Sequence, residues 1–425
     1  MQTRIPGSQS LPARTVTAGF LNTDWSPRDV PIGTTTRNVV LRTSDDAATG
    51  GALYLPAGPQ PKTVVCIMHP REFMACHYLI PDIVAAGFAV WSQSPRSVGN
   101  DLRLEHEVAL LDVTAGMAFL KSERFTRIVL VGNSGGAGLF CLYAQQAALA
   151  PQARIHVTPA GRPTGLSELE MPTIDGLVLL APHPGQGALL LNCIDPSVTD
   201  ETDVLSVDPS LDPLSPANGF GGPEGTRYSE DFVQRYRQAQ VRRVQRIDDA
   251  ARAMLARRRE ARTRVKAAAA VANPIDRRMA AHTPIFTVWR TDADLRCFDR
   301  SLDPSDRKYG SLWGKDPFAS NFGSVGFARL CTPESWLSTW SGLSSNAVLA
   351  KTLPPLTMPT LLIEYTGDQA CFPSDIGTLH ATLSMPDRQH VRVRGDHHGR
   401  ALDKAEEPGR YVAGRHIQNW LQERF

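Results

Sequence analysis

Long apolar runs are missing from this chain. None approaches the roughly 18 residues that a membrane span needs, and the opening MQTRIPGSQSLPARTV lacks the apolar stretch of a secretory signal. Paired cysteines are missing as well. Cys66, Cys76, Cys141, Cys193, Cys297, Cys331 and Cys371 are scattered without a C-x-x-C pair, which favours free thiols in a reducing compartment over a disulfide framework or a zinc site. Charge of one sign is not in excess: 45 basic against 43 acidic residues leave a formal net charge of +2. That balance gives no whole-protein case for nucleic acid, an acidic membrane or a strongly charged substrate. No His, Asp and Glu stand together at metal-ligand spacing, so neither a metal nor a cofactor is implied. The expected location is the cytoplasm, and the expected partner is a small molecule.

What is present is 425 residues, 42% hydrophobic, enough for a sizeable core and more than one structural unit. Residues 1–30 read as an irregular arm. Strands are predicted near Asn38–Arg42 and Ala52–Leu55, then at TVVCIMHP, FAVWSQ, Ile128–Val131 and GLVLLAPH, with helices over about Tyr78–Ala86, Glu105–Lys121 and from Ser134 to about Ala150. This alternation is the signature of a parallel sheet with crossovers. The rhythm then breaks. Pro184 to about Gly225 reads as loop, Tyr228–Ala270 as an arginine-rich helix, and the stretch from Tyr309 to Gly342 as aromatic and polar. Interspersed acids and alanines make that helix a solvated face or a subunit contact rather than a nucleic-acid arm, and a homodimer is left open. The α/β rhythm returns at MPTLLIEYTGD and closes with a helix from about Gly409. The predicted division is a core of residues 31–185 and 346–425 with a mainly helical cap, or lid, of residues 186–345 inserted between the sixth and seventh strands.

The chemistry gathers at strand ends. In RIVLVGNSGGAGLF, Arg127 to Phe140, a strand runs into glycines around Ser134. Gly132, Gly135 and Gly136 supply the lack of bulk that a sharp strand-to-helix turn demands, and Gly138 is expected to let the helix approach the sheet. A dinucleotide-binding turn also joins strand to helix through glycines, but it wants G-x-G-x-x-G and an acid roughly 20 positions on. Here Ser134 holds the second glycine's place and PQARIHVTPA contains no acid, which disfavours an oxidoreductase. A serine nucleophile needs a base and a group to orient it. VRVRGDHHGRAL places His397 and His398 on the loop leaving the last strand, and TLLIEYTGDQACFP places Asp368 just past the preceding one. Both loops leave carboxyl ends of strands, the edge on which Ser134 sits, so the groups can converge. Glu364 is the weaker acid because it lies inside the predicted strand.

With GNSGG, TGD and GDHHG following successive strands, the chain resembles the serine hydrolases of the α/β-hydrolase superfamily over about Asn38–Pro184 and Thr357–Phe425. The resemblance implies a mostly parallel central sheet with helices on both faces, Ser134 as nucleophile, Asp368 as the acid and one of the tandem histidines as base. His397 is favoured by its spacing from the preceding glycine, and His398 is the alternative. One oxyanion donor is then the Gly135 amide. The other comes from the loop after the third strand, where the text is HPREF: Pro70 has no N–H, which leaves the amide of Arg71, or failing that Glu72. The Arg71 side chain is expected either to reach a substrate oxygen or to form a salt bridge. His69, His77, His183, Trp313 and Trp336 are pocket candidates, within an aromatic set that includes Phe318, Phe322, Phe327 and Trp340. The implied activity is hydrolysis of a carboxylic ester or lactone with a fairly large apolar portion, through an acyl-enzyme. Amide, thioester and carbon–carbon bond hydrolysis use the same machinery, and a non-catalytic ligand-binding protein on this fold is the alternative from another class.

Overall fold

The computed structural model describes residues 30–268, 271, 273–323 and 326–425; the expected N-terminal arm lies, but for its last residue, outside them. The strands of the described residues are β1 (Thr35–Arg42), β2 (Ala48–Leu55), β3 (Thr63–Met68), β4 (Ala89–Ser94), β5 (Arg127–Asn133), β6 (Gly176–Leu180), β7 (Phe286–Thr287), β8 (Leu330–Cys331), β9 (Thr360–Tyr365) and β10 (Arg388–Val393). All but the β7–β8 ribbon form one sheet, ordered β1-β2-β4-β3-β5-β6-β9-β10. Only β1–β2 and β2–β4 pair antiparallel. The other neighbours are parallel, and the sheet with its crossover helices has the α/β-hydrolase architecture.

The central strands are apolar along their whole length because helices cover them on both faces. In β3, Val64, Cys66 and Met68 join the layer under the helices His106–Ser122 and Gly135–Ala148, while Val65 and Ile67 join the layer under Ile80–Ala85 and Gly409–Arg424. Parallel register brings the carboxyl ends of β3, β5, β6, β9 and β10 to one edge. Every loop that matters for the site leaves from that edge.

The chain departs from the sheet after β6 and returns at β9. Its longest element there is the helix Glu230–Ala268, of 39 residues. The predicted loop after Pro184 is in fact helical over Gln186–Cys193, whose Leu189, Leu190 and Cys193 pack with Val244, Ile247 and Trp336. Flanking prolines and glycines conceal that short apolar turn in the sequence. Nor are the long helix's arginines uniformly solvated. Arg243 is 1% exposed and bonds the Asp195 carbonyl at 2.6 Å and the Glu201 carboxylate at 2.9 and 2.7 Å. Arg237 reaches Asp294 at 2.8 Å, so these two pin the helix to its own insertion. The return segment is bolted to the core: Ser338 Oγ accepts from the His106 amide at 2.9 Å and donates to Glu107 at 2.5 Å, and Asn346 Nδ2 donates to Glu107 at 2.8 Å.

Candidate active site

Ser134 sits between β5 and the helix Gly135–Ala148 with φ 54° and ψ −121°. A non-glycine residue with positive φ stores strain that the surroundings must hold. The holding groups are visible: the Ser134 amide donates to the Leu180 carbonyl of β6 at 2.9 Å, and Asn133 Nδ2 reaches the same carbonyl at 3.0 Å. A Cβ on Gly132 would lie 2.5 Å from Ala137 Cα, and one on Gly136 2.5 Å from the Met68 carbonyl, so both glycines are obligatory. Gly138 is different. A Cβ there would make only ordinary contacts, with the Ala347 carbonyl at 3.6 Å and with Ala347 Cβ and Gly185 Cα at 3.9 Å, so that glycine is not what brings helix to sheet.

The loop after β10 carries His397 to Ser134, with Nε2 2.9 Å from Oγ. On the other side of the ring, Nδ1 stands 2.9 and 2.8 Å from the two carboxylate oxygens of Asp368, which follows β9. Asp368 is itself oriented, its Oδ1 accepting from the amides of Ala370 at 2.7 Å and Cys371 at 3.0 Å. The two loops are tied to each other by the Gly367 amide on the Gly395 carbonyl, 2.9 Å. Burial pulls the His397 imidazole down, but the Asp368 carboxylate outweighs it, and the net pKa is raised above the usual 6.5. A base with a raised pKa whose second nitrogen faces a carboxylate can take a proton from Oγ.

His398 does not compete for this position. It stands edge-on to His397, ring centroids 5.0 Å apart, and burial holds its pKa well below the usual value. Glu364 is bonded to His390 Nε2 at 3.0 Å and Arg392 Nε at 3.2 Å of β10, away from the Ser134 hydroxyl. Arg71 departs most from expectation. Its amide donates to His69 Nδ1 at 3.1 Å, as does the Glu72 amide at 3.1 Å. Its guanidinium is spent on a bidentate pair with Asp101, 3.0 and 2.9 Å, over the Trp340 ring. So the amide is not presented to an oxyanion, and the side chain makes the salt bridge.

Ser134 opens on a cavity of about 60 Å³ whose walls include His69, His183, Leu189, Leu312, Trp313, Phe327 and His398. Trp313 and Phe327 form an edge-to-face pair, centroids 5.4 Å apart. Trp336 is elsewhere: fully buried in the insertion, its Nε1 donates to Asp248 at 2.7 Å. His77 bonds Asn133 Oδ1 at 3.2 Å and stacks on Tyr78, a structural role behind the turn. Phe318 is 54% exposed. Leu189, Leu312 and Gln186 were missed as lining residues, since they lie in segments whose composition signals only loop. Among the described residues no cluster of three or more His, Cys, Asp or Glu is arranged to hold a metal ion, and no helix is long and apolar enough to cross a membrane.

No family model matches the chain, and no curated protein matches it. Solved structures do resemble it at low identity. The esterase domain of a Rhodothermus marinus protein is 11% identical, spans 92% of this chain and 98% of its own, and has a TM-score of 0.44. A Pyrococcus furiosus esterase is 14% identical over 96% of this chain and 97% of its own, TM-score 0.44. The α/β hydrolase GrgF of a Penicillium species is 12% identical over 92% and 99%, TM-score 0.45. At such values the reading of the site rests on its own geometry.

Proposed function

We propose that the protein is a serine hydrolase acting on carboxylic esters or lactones. The observation that carries this reading is the hydrogen-bond line from Ser134 Oγ through the buried His397 to the buried Asp368, at 2.9 and 2.8 Å, opening on a cavity walled by histidines and apolar side chains. In this reading Ser134 Oγ attacks the carbonyl carbon as its proton passes to His397 Nε2, and the carbonyl electron pair moves onto oxygen. Collapse of the tetrahedral intermediate breaks the C–O bond to the leaving alcohol, which receives the proton. Water, deprotonated by the same nitrogen, attacks the acyl-enzyme and releases the acid and Ser134. The insertion serves as a lid, since Leu189, Leu312, Trp313 and Phe327 all come from it.

Cavity size bears on the substrate. At roughly 10–15 Å³ per water-sized group, a cavity of about 60 Å³ admits about five, which favours a short acyl group over the fairly large apolar portion expected from the sequence. Among the described residues that line the cavity no free cation faces the serine, because Arg71 is paired with Asp101, which favours a neutral acyl chain. Fluorophosphonate labelling tests the reading. Wild-type protein should label once, and Ser134→Ala should neither label nor hydrolyse p-nitrophenyl acetate. A folded wild type that does not label would sink the proposal.

A further inference from the structure

The amides that the HPREF loop offers to an oxyanion are both turned onto one side chain. Arg71 and Glu72 each donate to His69 Nδ1 at 3.1 Å. A ring nitrogen that accepts N–H bonds carries no hydrogen, so the neutral imidazole holds its proton on Nε2. Neutrality is secured by burial and by the surrounding Arg71, His183, His106 and His397, which keep the pKa well below its usual value. His69 lines the cavity shared with Ser134 and His397, and its Nε2 lies 2.7 Å from the point where a Cβ of Gly135 would sit. Gly135 is also the residue whose amide, in the first turn of its helix, has no intrahelical acceptor. The free Nε2–H and the free amide therefore border the same space beside the Ser134 hydroxyl.

We propose that His69 Nε2–H is the second oxyanion donor, a side chain supplying what the backbone of HPREF does not. This rests on the serine-hydrolase reading above. As the bond from Oγ to the carbonyl carbon forms, the carbonyl electron pair settles on oxygen between the Gly135 N–H and the His69 N–H. No proton leaves His69, because His397 carries the only proton in transit. The donor is pre-aimed by two backbone bonds, so little reorganisation is needed as charge develops. The same arrangement accounts for glycine at position 135, since any Cβ there would collide with the donor.

The test uses the full chain with p-nitrophenyl acetate as substrate and a fluorophosphonate as active-site probe. His69→Ala should lower kcat by about 10²–10³, the loss seen when one such donor is removed, with KM within about threefold, in a protein that stays folded although the Arg71 and Glu72 amides lose their acceptor. His69→Gln, whose side-chain amide can donate from a similar reach, should recover about tenfold of that loss. Gly135→Ala keeps its own amide but displaces Nε2, and should lose activity to a similar extent. Wild type that labels at Ser134 while His69→Ala keeps kcat within about threefold overturns the donor and leaves the hydrolase standing. A loss that the Gln variant does not relieve makes His69 a loop support and likewise overturns it. Wild type that does not label at Ser134 overturns the underlying reading as well.

Discussion

Asp368→Asn gives the sharpest separation of electrostatics from shape, because the environment dictates how the new amide must sit. Oδ1 accepts from Ala370 and Cys371 at 2.7 and 3.0 Å and also stands 2.9 Å from His397 Nδ1, whereas Oδ2 faces His397 Nδ1 alone, at 2.8 Å. An asparagine therefore keeps its oxygen on the two amides and turns its NH₂ toward His397. Nδ1 must become the acceptor, and the ring proton moves to Nε2, facing the hydroxyl it should deprotonate. Amidating the acid of a Ser-His-Asp triad in this way costs about 10⁴ in kcat, or about 5.5 kcal/mol of transition-state stabilisation. The pH profile carries a second signature. Burial lowers the His397 pKa and the Asp368 charge more than restores it, for a net value above 6.5. The base must be neutral to act, so wild-type kcat/KM should fall as pH drops through a half-point above 6.5. Removing the carboxylate leaves burial in control, and the half-point should move down while the plateau falls. The assay is p-nitrophenyl acetate hydrolysis over about pH 5 to 9, with circular dichroism to confirm the fold. Retention of more than about 1% of kcat, or an acid limb that does not move, would refute the reasoning.

His106 is fully buried, and neither ring nitrogen has a hydrogen bond of good geometry among the described residues. Burial takes its pKa down to about 4, against small opposing effects of Ser338 and Gln186. The unfolded chain binds the extra proton from about pH 6.5 downward, so this histidine destabilises the fold as pH falls toward its folded pKa, by about 1.4 kcal/mol per unit. His106→Leu should therefore gain about 2 kcal/mol on wild type at pH 5 relative to pH 7.5 in urea unfolding, and an unchanged difference would count against the buried neutral ring. Glu364 serves the β9–β10 edge through His390 and Arg392. Glu364→Gln should leave kcat within about twofold and cost about 1 kcal/mol of stability; a large fall in kcat would return Glu364 to consideration as the orienting acid.

The sheet was readable because each central strand is a short apolar run ending in a breaker: TVVCIM before His69-Pro70, GLVLL before Ala181-Pro182, TLLIEY before Thr366-Gly367. Two-sided burial writes that pattern directly. Those ends also fixed where chemistry can gather, since parallel strands deliver their loops to one edge. The insertion was far less readable. Its helix Gln186–Cys193 is short, and its arginines divide into solvated and buried ones by partners distant in sequence: Glu201 and the Asp195 carbonyl hold Arg243. A charged residue's burial depends on what meets it, which no local pattern encodes. For the same reason Trp313 and Trp336 look alike in the sequence, yet one lines the cavity and the other lies against Asp248.

The loop after β3 shows a finer limit and its physical cause. Spacing says which residues reach the strand end; it does not say which way a peptide N–H points, because a side chain can capture it. Here proline helps to decide. In His69-Pro70 the following residue has no N–H, so the first amide that can meet Nδ1 is two positions on, at Arg71, 3.1 Å away. In His183-Pro184, after β6, the Gly185 amide meets Nδ1 at 3.3 Å in the same way. Both rings are thereby fixed with hydrogen on Nε2, and burial holds His183 neutral too, its pKa pushed down to about 3. β3 and β6 are the two neighbours of β5, so the two imidazoles flank the Ser134 turn from either side. Their Nε2 atoms lie 2.7 and 3.4 Å from the same point above Gly135. A His-Pro pair at the end of a strand next to a nucleophile turn thus carries a tautomer signal: the proline removes one backbone donor, and the amide beyond it meets Nδ1 and leaves the ring's hydrogen on Nε2.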